Sequence, residues 1–119
     1  DVLSLHCPLT TLTQGLIGAP QLARMKPDAL LINTARGALV DSQALADALR
    51  AGRLGGAAID VLPQEPPVDG NPLLAPDIPH LIVTPHIAWA AREARQRCLD
   101  EMAANVEDLA RGGHRGRVV

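Results

Sequence analysis

Four clusters of polar residues in this sequence each come after a run of apolar ones. Ser4, His6 and Cys7 come after the first run, and Asn33, Thr34, Arg36 and Gly37 after the second. The third run ends in Asp60 and leads on to Glu65; the fourth ends in Thr84-Pro85-His86. An arginine offers a planar fork of donors matched to a carboxylate or a carbonyl oxygen. A histidine beside a carboxylate is held in one tautomer and favours its protonated form, as a general acid near neutral pH requires. Arg36 to hold a 2-oxo acid, His86 to protonate its carbonyl and Glu65 to support the imidazole would together suit reduction of a 2-keto acid. No side chain supplies a hydride, so that chemistry needs a nicotinamide cofactor.

These residues can act together only if the fold gathers them. The apolar runs at residues 2–5, 29–34, 54–61 and 81–84 have strand length, and the second reads as buried on both faces. Between them, residues 17–25 suggest one or two short helical turns, with Pro20 suited to a first turn. Asp41 is placed to cap a helix over residues 42–51, which Gly52 would stop. Glycines 55 and 56 would let the third strand pack closely, and the prolines at 63, 66, 67, 72, 76 and 79 predict a stiff surface loop. A long helix is predicted over residues 88–111, with Arg97 and Glu101 one turn apart as a surface pair.

Strands separated by helices or long crossovers argue for an α/β fold with a parallel sheet covered on two sides. In such a sheet ligands bind beyond the carboxyl ends of the strands, where all four polar clusters fall.

Composition narrows the alternatives. The 119 residues carry 11 Lys+Arg against 13 Asp+Glu, a net charge of −2, which gives no general reason to bind nucleic acid. Trp89 is the single aromatic residue, so stacking on bases is nearly excluded. No apolar run is long enough to span a bilayer, so no membrane partner is expected. Cys7 and Cys98 form no CxxC pair and the four histidines show no HxxxH or HExxH spacing. No metal is therefore expected, and a reducing, cytoplasmic setting fits.

Three segments, Asn33-Thr34-Ala35-Arg36-Gly37, Asp60-Val61-Leu62-Pro63-Gln64-Glu65-Pro66 and Thr84-Pro85-His86-Ile87-Ala88-Trp89, resemble successive signatures of the D-isomer-specific 2-hydroxyacid dehydrogenases. The opening run from Ser4 to Thr10 is similar to the segment that precedes them in that family. Residues 89–96 are most similar to glycerate dehydrogenases, also called hydroxypyruvate reductases. The resemblance implies that Arg36 binds the substrate carboxylate and carbonyl, that His86 is the acid/base and that Glu65 is its partner. It implies that Cys7, Thr34, Ala35, Arg36, Asp60 and the backbone from His86 line the nicotinamide and ribose side of NAD, with a 2-hydroxy or 2-keto acid as substrate and a homodimer as assembly.

The family's glycine-rich GxGxxG turn, and the acidic residue after it that selects NAD over NADP, are absent from these residues, so NADP stays open. The chain therefore reads as a fragment: the second half of a doubly wound, Rossmann-like NAD-binding domain over residues 1–111, including the return helix 88–111. Residues 112–119 would form a tail toward a substrate domain, and residues 115–119 loosely resemble the family's closing strand.

Plainer readings stand beside these. Arg36 is also what a solvated loop arginine looks like, His86 could be a turn residue, and Gln64-Glu65-Pro66 is ordinary polar loop material. Asp60 could simply cap its turn. Cys7 reads as a small apolar residue whose cofactor contact would be through its backbone. His6, His80 and His114 read as structural or exposed, and Trp89 as packing the start of the last helix. Two further readings remain: a nucleotide-sensing module like the family's co-repressors, and a fragment inactive by itself. In isolation the last helix is expected to expose an apolar stripe.

Overall fold

The computed structural model describes residues 1–118; Val119, the end of the tail expected over 112–119, lies outside the described residues. The chain divides into two compact units, meeting in sequence at Ile87 and Ala88.

The first unit is an α/β layer. Four strands, β1 (Val2–Leu5), β2 (Leu30–Asn33), β3 (Gly56–Ile59) and β4 (Leu81–Val83), pair in that order, every pairing parallel. Two helices, α1 (Ala19–Leu22) and α2 (Ser42–Arg50), supply the first two crossovers. Leu5, Leu31, Ala57 and Ile59 of the strands are buried with Leu22 of α1 and Leu45, Ala46, Ala48 and Leu49 of α2. The helix forms where its sequence allows it: Asp41 Oδ1 accepts from the N–H groups of Gln43 and Ala44, both at 3.0 Å. At the other end Gly52, with φ +62°, takes the left-handed turn that stops it.

The expectation of cover on both faces needs correction. Leu5 and Leu31 face the core, but on the other face Val2, Leu30 and Ile82 are exposed and Ile32 is only half-buried. Runs apolar on both faces report what a sheet could bury, not what buries it. The proline-rich segment also differs from a plain surface loop. It holds a short 3-10 turn at Pro72–Leu74 that buries Leu73, and Asp77 forms a two-pronged ion pair with Arg50 of α2, at 2.7 and 3.1 Å. Prolines rigidify this segment while one leucine and one arginine anchor it.

Gly37 opens a 3-10 turn (Gly37–Leu39) shortly after β2. A Cβ at this position would lie 2.0 Å from the carbonyl carbon of Leu62, so the exit of β2 rests on the exit of β3. The obstacle is backbone and cannot rotate away. Gly37→Ala is expected to destabilise the fold by about 3 kcal/mol, read as a lower denaturant midpoint in equilibrium unfolding.

In the second unit, α3 (Arg92–Ala110) begins later than the expected residue 88 and ends one residue before 111. Ala91 caps it without a side-chain bond, and Gly112, at φ +81°, comes just past its end. The helix buries none of its residues; Leu99, Met102, Val106 and Leu109 are all exposed. The expected Arg97–Glu101 pair is replaced by a bond from Arg115 Nη2 to Glu101 at 2.8 Å, because the chain turns back after Gly112 and brings Arg115 over that carboxylate. Residues 115–118 form turn and coil, not a strand. Trp89 is 60% exposed and lines a groove with Ala94, Cys98 and Leu99.

Candidate functional site

The strand register gathers the polar clusters. Leu5, Asn33, Ile59 and Val83 lie in one row across the sheet. With all strands parallel, His6-Cys7, Thr34-Ala35-Arg36, Asp60 and Thr84-Pro85-His86 leave by the same carboxyl edge. The mouths of β2 and β4 are two strand spacings apart, about 10 Å, which leaves room for a small molecule between them.

Asp60 organises one side of this rim. It is 4% exposed, and its carboxylate Oδ1 accepts from the Thr84 hydroxyl at 2.5 Å and from the Ile87 N–H at 2.9 Å. Its main-chain oxygen accepts the N–H of His86 at 2.8 Å. Residues 84–87 are thus held by one residue at three points. Between them His86 sits at φ +55°, a left-handed conformation that a non-glycine residue adopts only when its surroundings impose it.

Glu65 approaches the same imidazole from the loop after β3. His86 Nδ1 lies 2.6 Å from Glu65 Oε2, and Glu65 Oε1 accepts the Leu62 N–H at 2.7 Å. A carboxylate only accepts, so Nδ1 carries the hydrogen of this bond and Nε2 is the nitrogen through which the ring can pass a proton onward. The bond from His86, reinforced by the Leu62 N–H, holds the Glu65 carboxyl below its ordinary pKa. Since the folded-state value is depressed, these bonds stabilise the loop fully above the ordinary carboxylate range and are lost as pH falls through the lower folded value. The amide resonance of Leu62 is expected to shift with pH around a midpoint below that of an ordinary glutamate. In Glu65→Gln this step should vanish.

Arg36 stands at the same rim but apart from that pair. It is exposed, and its Nη1 donates to the carbonyl oxygen of Ala35 at 2.8 Å. An open cavity of about 490 Å³ is lined by Asp60, Glu65, Thr84 and His86, walled by Leu62, Leu74 and Val83 among others, and Arg36 is not part of its lining. Cys7 and Ala35 are half-buried and pack against the core, while Thr34 is exposed beside them. The structure therefore joins Asp60, Glu65 and His86 into one network and sets Cys7, Thr34, Ala35 and Arg36 along the neighbouring strand ends. Thr84 and Asn33 belong to the site although sequence reasoning assigns neither a role. The signal for both was available: a polar residue closing an otherwise apolar run.

The rim fits one end of a dinucleotide. A buried carboxylate, an exposed threonine hydroxyl and the small side chain of Ala35 suit a ribose and a carboxamide, but among the described residues none forms the glycine-rich turn that cradles a pyrophosphate.

Residues 1–88 match the family described as D-isomer specific 2-hydroxyacid dehydrogenase, NAD binding domain. A glycerate dehydrogenase of Methylorubrum extorquens is 56% identical over 112 residues, covering 94% of this chain and 36% of that protein. A hydroxypyruvate reductase of Blautia hydrogenotrophica is 40% identical over 94% of this chain and 34% of its own length. The chain thus spans about a third of the curated relatives it matches. A crystal structure of a D-isomer specific 2-hydroxyacid dehydrogenase from Lactobacillus delbrueckii ssp. bulgaricus, in its NAD complexed form, superposes with a TM-score of 0.81 at 34% identity. That match covers 100% of this chain and 40% of the other.

Proposed function

The chain belongs to the D-isomer specific 2-hydroxyacid dehydrogenase family, and on that premise we propose that the protein is an NAD-dependent oxidoreductase acting on a small D-2-hydroxy acid or its 2-keto acid. Glycerate and hydroxypyruvate are the preferred pair, a choice supported by the likeness to a glycerate dehydrogenase and a hydroxypyruvate reductase. The observation that carries the reading is the 2.6 Å contact of Glu65 with His86 on the rim that also bears Arg36.

Bound NAD supplies the hydride acceptor or donor. The chain's own residues do the rest. Arg36 turns its guanidinium from the Ala35 carbonyl toward the substrate carboxylate and carbonyl oxygen, fixing which face of the keto carbon is presented. Glu65 keeps the imidazole oriented. His86 gives the Nε2 proton to the carbonyl oxygen in reduction and takes it from the hydroxyl in oxidation. Cys7, Thr34, Ala35 and Asp60 line the nicotinamide and ribose side.

The full-length protein supplied with NADH should consume the reduced cofactor with hydroxypyruvate, and more slowly with pyruvate or glyoxylate. Nucleotide binding without turnover of any 2-keto acid would replace this reading by that of a sensor. The assembly we propose is a homodimer, supported by the unburied Leu99, Met102, Val106 and Leu109 of α3, and the setting a cytoplasmic one, supported by the free thiols of Cys7 and Cys98. Light scattering should return twice the chain mass; a monomer at high concentration contradicts it.

A further inference from the structure

We infer that Asn33 is a positioning residue that sets where Arg36 meets the substrate carboxylate, an inference that rests on the function proposed above. Asn33 is wholly buried, at the last paired position of β2, with Leu31 and Leu39 also buried close by in the chain. A primary amide in such a place is costly unless both its ends are bonded. Both are, and both bonds run to the loop that carries the arginine. Asn33 Oδ1 accepts the N–H of Ala35 at 3.1 Å, and Nδ2 donates to the main-chain oxygen of Arg36 at 3.0 Å. The main-chain oxygen of Asn33 accepts the Asp60 N–H at 2.9 Å.

One residue therefore ties the Arg36 loop to the strand bearing Asp60, whose own bonds hold His86. The Arg36 carbonyl also receives the Leu39 N–H at 3.2 Å, so the arginine's backbone is fixed on its far side as well. Its guanidinium, by contrast, has among the described residues only the local bond to Ala35. In this arrangement the amide of Asn33 determines the origin from which a long side chain reaches, without touching substrate itself. An error of about 1 Å at that origin is enough to misalign a two-pronged contact.

The test uses the full-length protein and compares Asn33→Ser with Arg36→Ala and the double variant. Asn33→Ser should raise the KM for hydroxypyruvate about tenfold, with kcat within about threefold and the pH profile of kcat unmoved. In the Arg36→Ala background the same substitution should change KM no further, because nothing is left to aim. Additive effects, or a fall in kcat with KM unchanged, overturn the inference. Asn33→Asp, which keeps size and the acceptor for Ala35, is the second variant; if neither folds, Asn33 is a folding residue only and the inference fails. A wild type inactive on every 2-keto acid would sink the functional reading instead. Amide exchange at Ala35 then decides the positioning claim: faster in Asn33→Ser supports it, and an unchanged rate refutes it.

Discussion

His86→Asn in the full-length protein is expected to lower kcat for keto-acid reduction by about 10²–10⁴-fold, the range that a positioned general acid contributes. Asparagine is the informative replacement because the residue sits at φ +55°, a conformation asparagine tolerates better than most side chains. The backbone bond from residue 86 to the Asp60 oxygen, at 2.8 Å, can therefore persist, and so can the Ile87 bond to the Asp60 carboxylate. What disappears is the imidazole and its 2.6 Å bond to Glu65. Affinity for NADH should change little, since the rim residues on the β1 and β2 side are untouched, and the melting temperature should stay close to that of the wild type. A variant that keeps wild-type kcat would show that His86 moves no proton. One that loses stability and cofactor binding together would show that the left-handed turn had collapsed, and the rate loss could not then be assigned to the imidazole. Glu65→Gln should fall between these extremes, because the ring remains but its orienting carboxylate does not.

Much of this site is legible in the sequence because parallel strands impose a simple rule: the polar residues after each apolar run share an edge with those after the others. That rule places Arg36, Asp60 and His86 on one rim, and the register of Asn33 with Ile59 and of Ile59 with Val83 obeys it. It says nothing about where side chains turn. Arg36 is expected in the same crevice as Glu65 and His86; its guanidinium instead folds onto its own loop. Asn33 reads as the polar end of a strand, and only its complete burial with two loop bonds reveals what it holds. The start of α3 escapes sequence reasoning for another reason. Ala88, Ala90 and Ala91 are good helix formers, but propensity does not decide where a helix begins, and the helix starts only at Arg92, after an Ala91 that supplies no side-chain cap. Glu101 shows the same limit: spacing along a helix offers it Arg97, while the chain's return supplies Arg115.

The second large effect concerns Arg36. In the reaction proposed above, the Arg36 guanidinium makes two hydrogen bonds to the substrate, one to its carboxylate and one to its carbonyl oxygen, each contributing about 1.5–3 kcal/mol. Losing both in Arg36→Ala should lower kcat/KM for hydroxypyruvate by about 10²–10⁴-fold. Arg36→Lys should recover only a small part of this. It keeps the charge, but an ammonium has no planar fork and cannot hold the carboxylate and the carbonyl oxygen in one orientation. A neutral ketone of similar size separates aim from attraction. Having no carboxylate, it should be a poor substrate for the wild type and lose far less in Arg36→Ala than hydroxypyruvate does. If both compounds lose equally, Arg36 supports the loop and not the substrate. Because Arg36 is exposed and, among the described residues, bonded through its side chain only to the Ala35 carbonyl, its removal leaves no buried partner among them stranded. Folding stability should therefore move by less than about 0.5 kcal/mol, as for an ordinary surface substitution. That contrast, a large catalytic loss with an almost unchanged melting curve, is what distinguishes an arginine kept for its ligand from one kept for the fold.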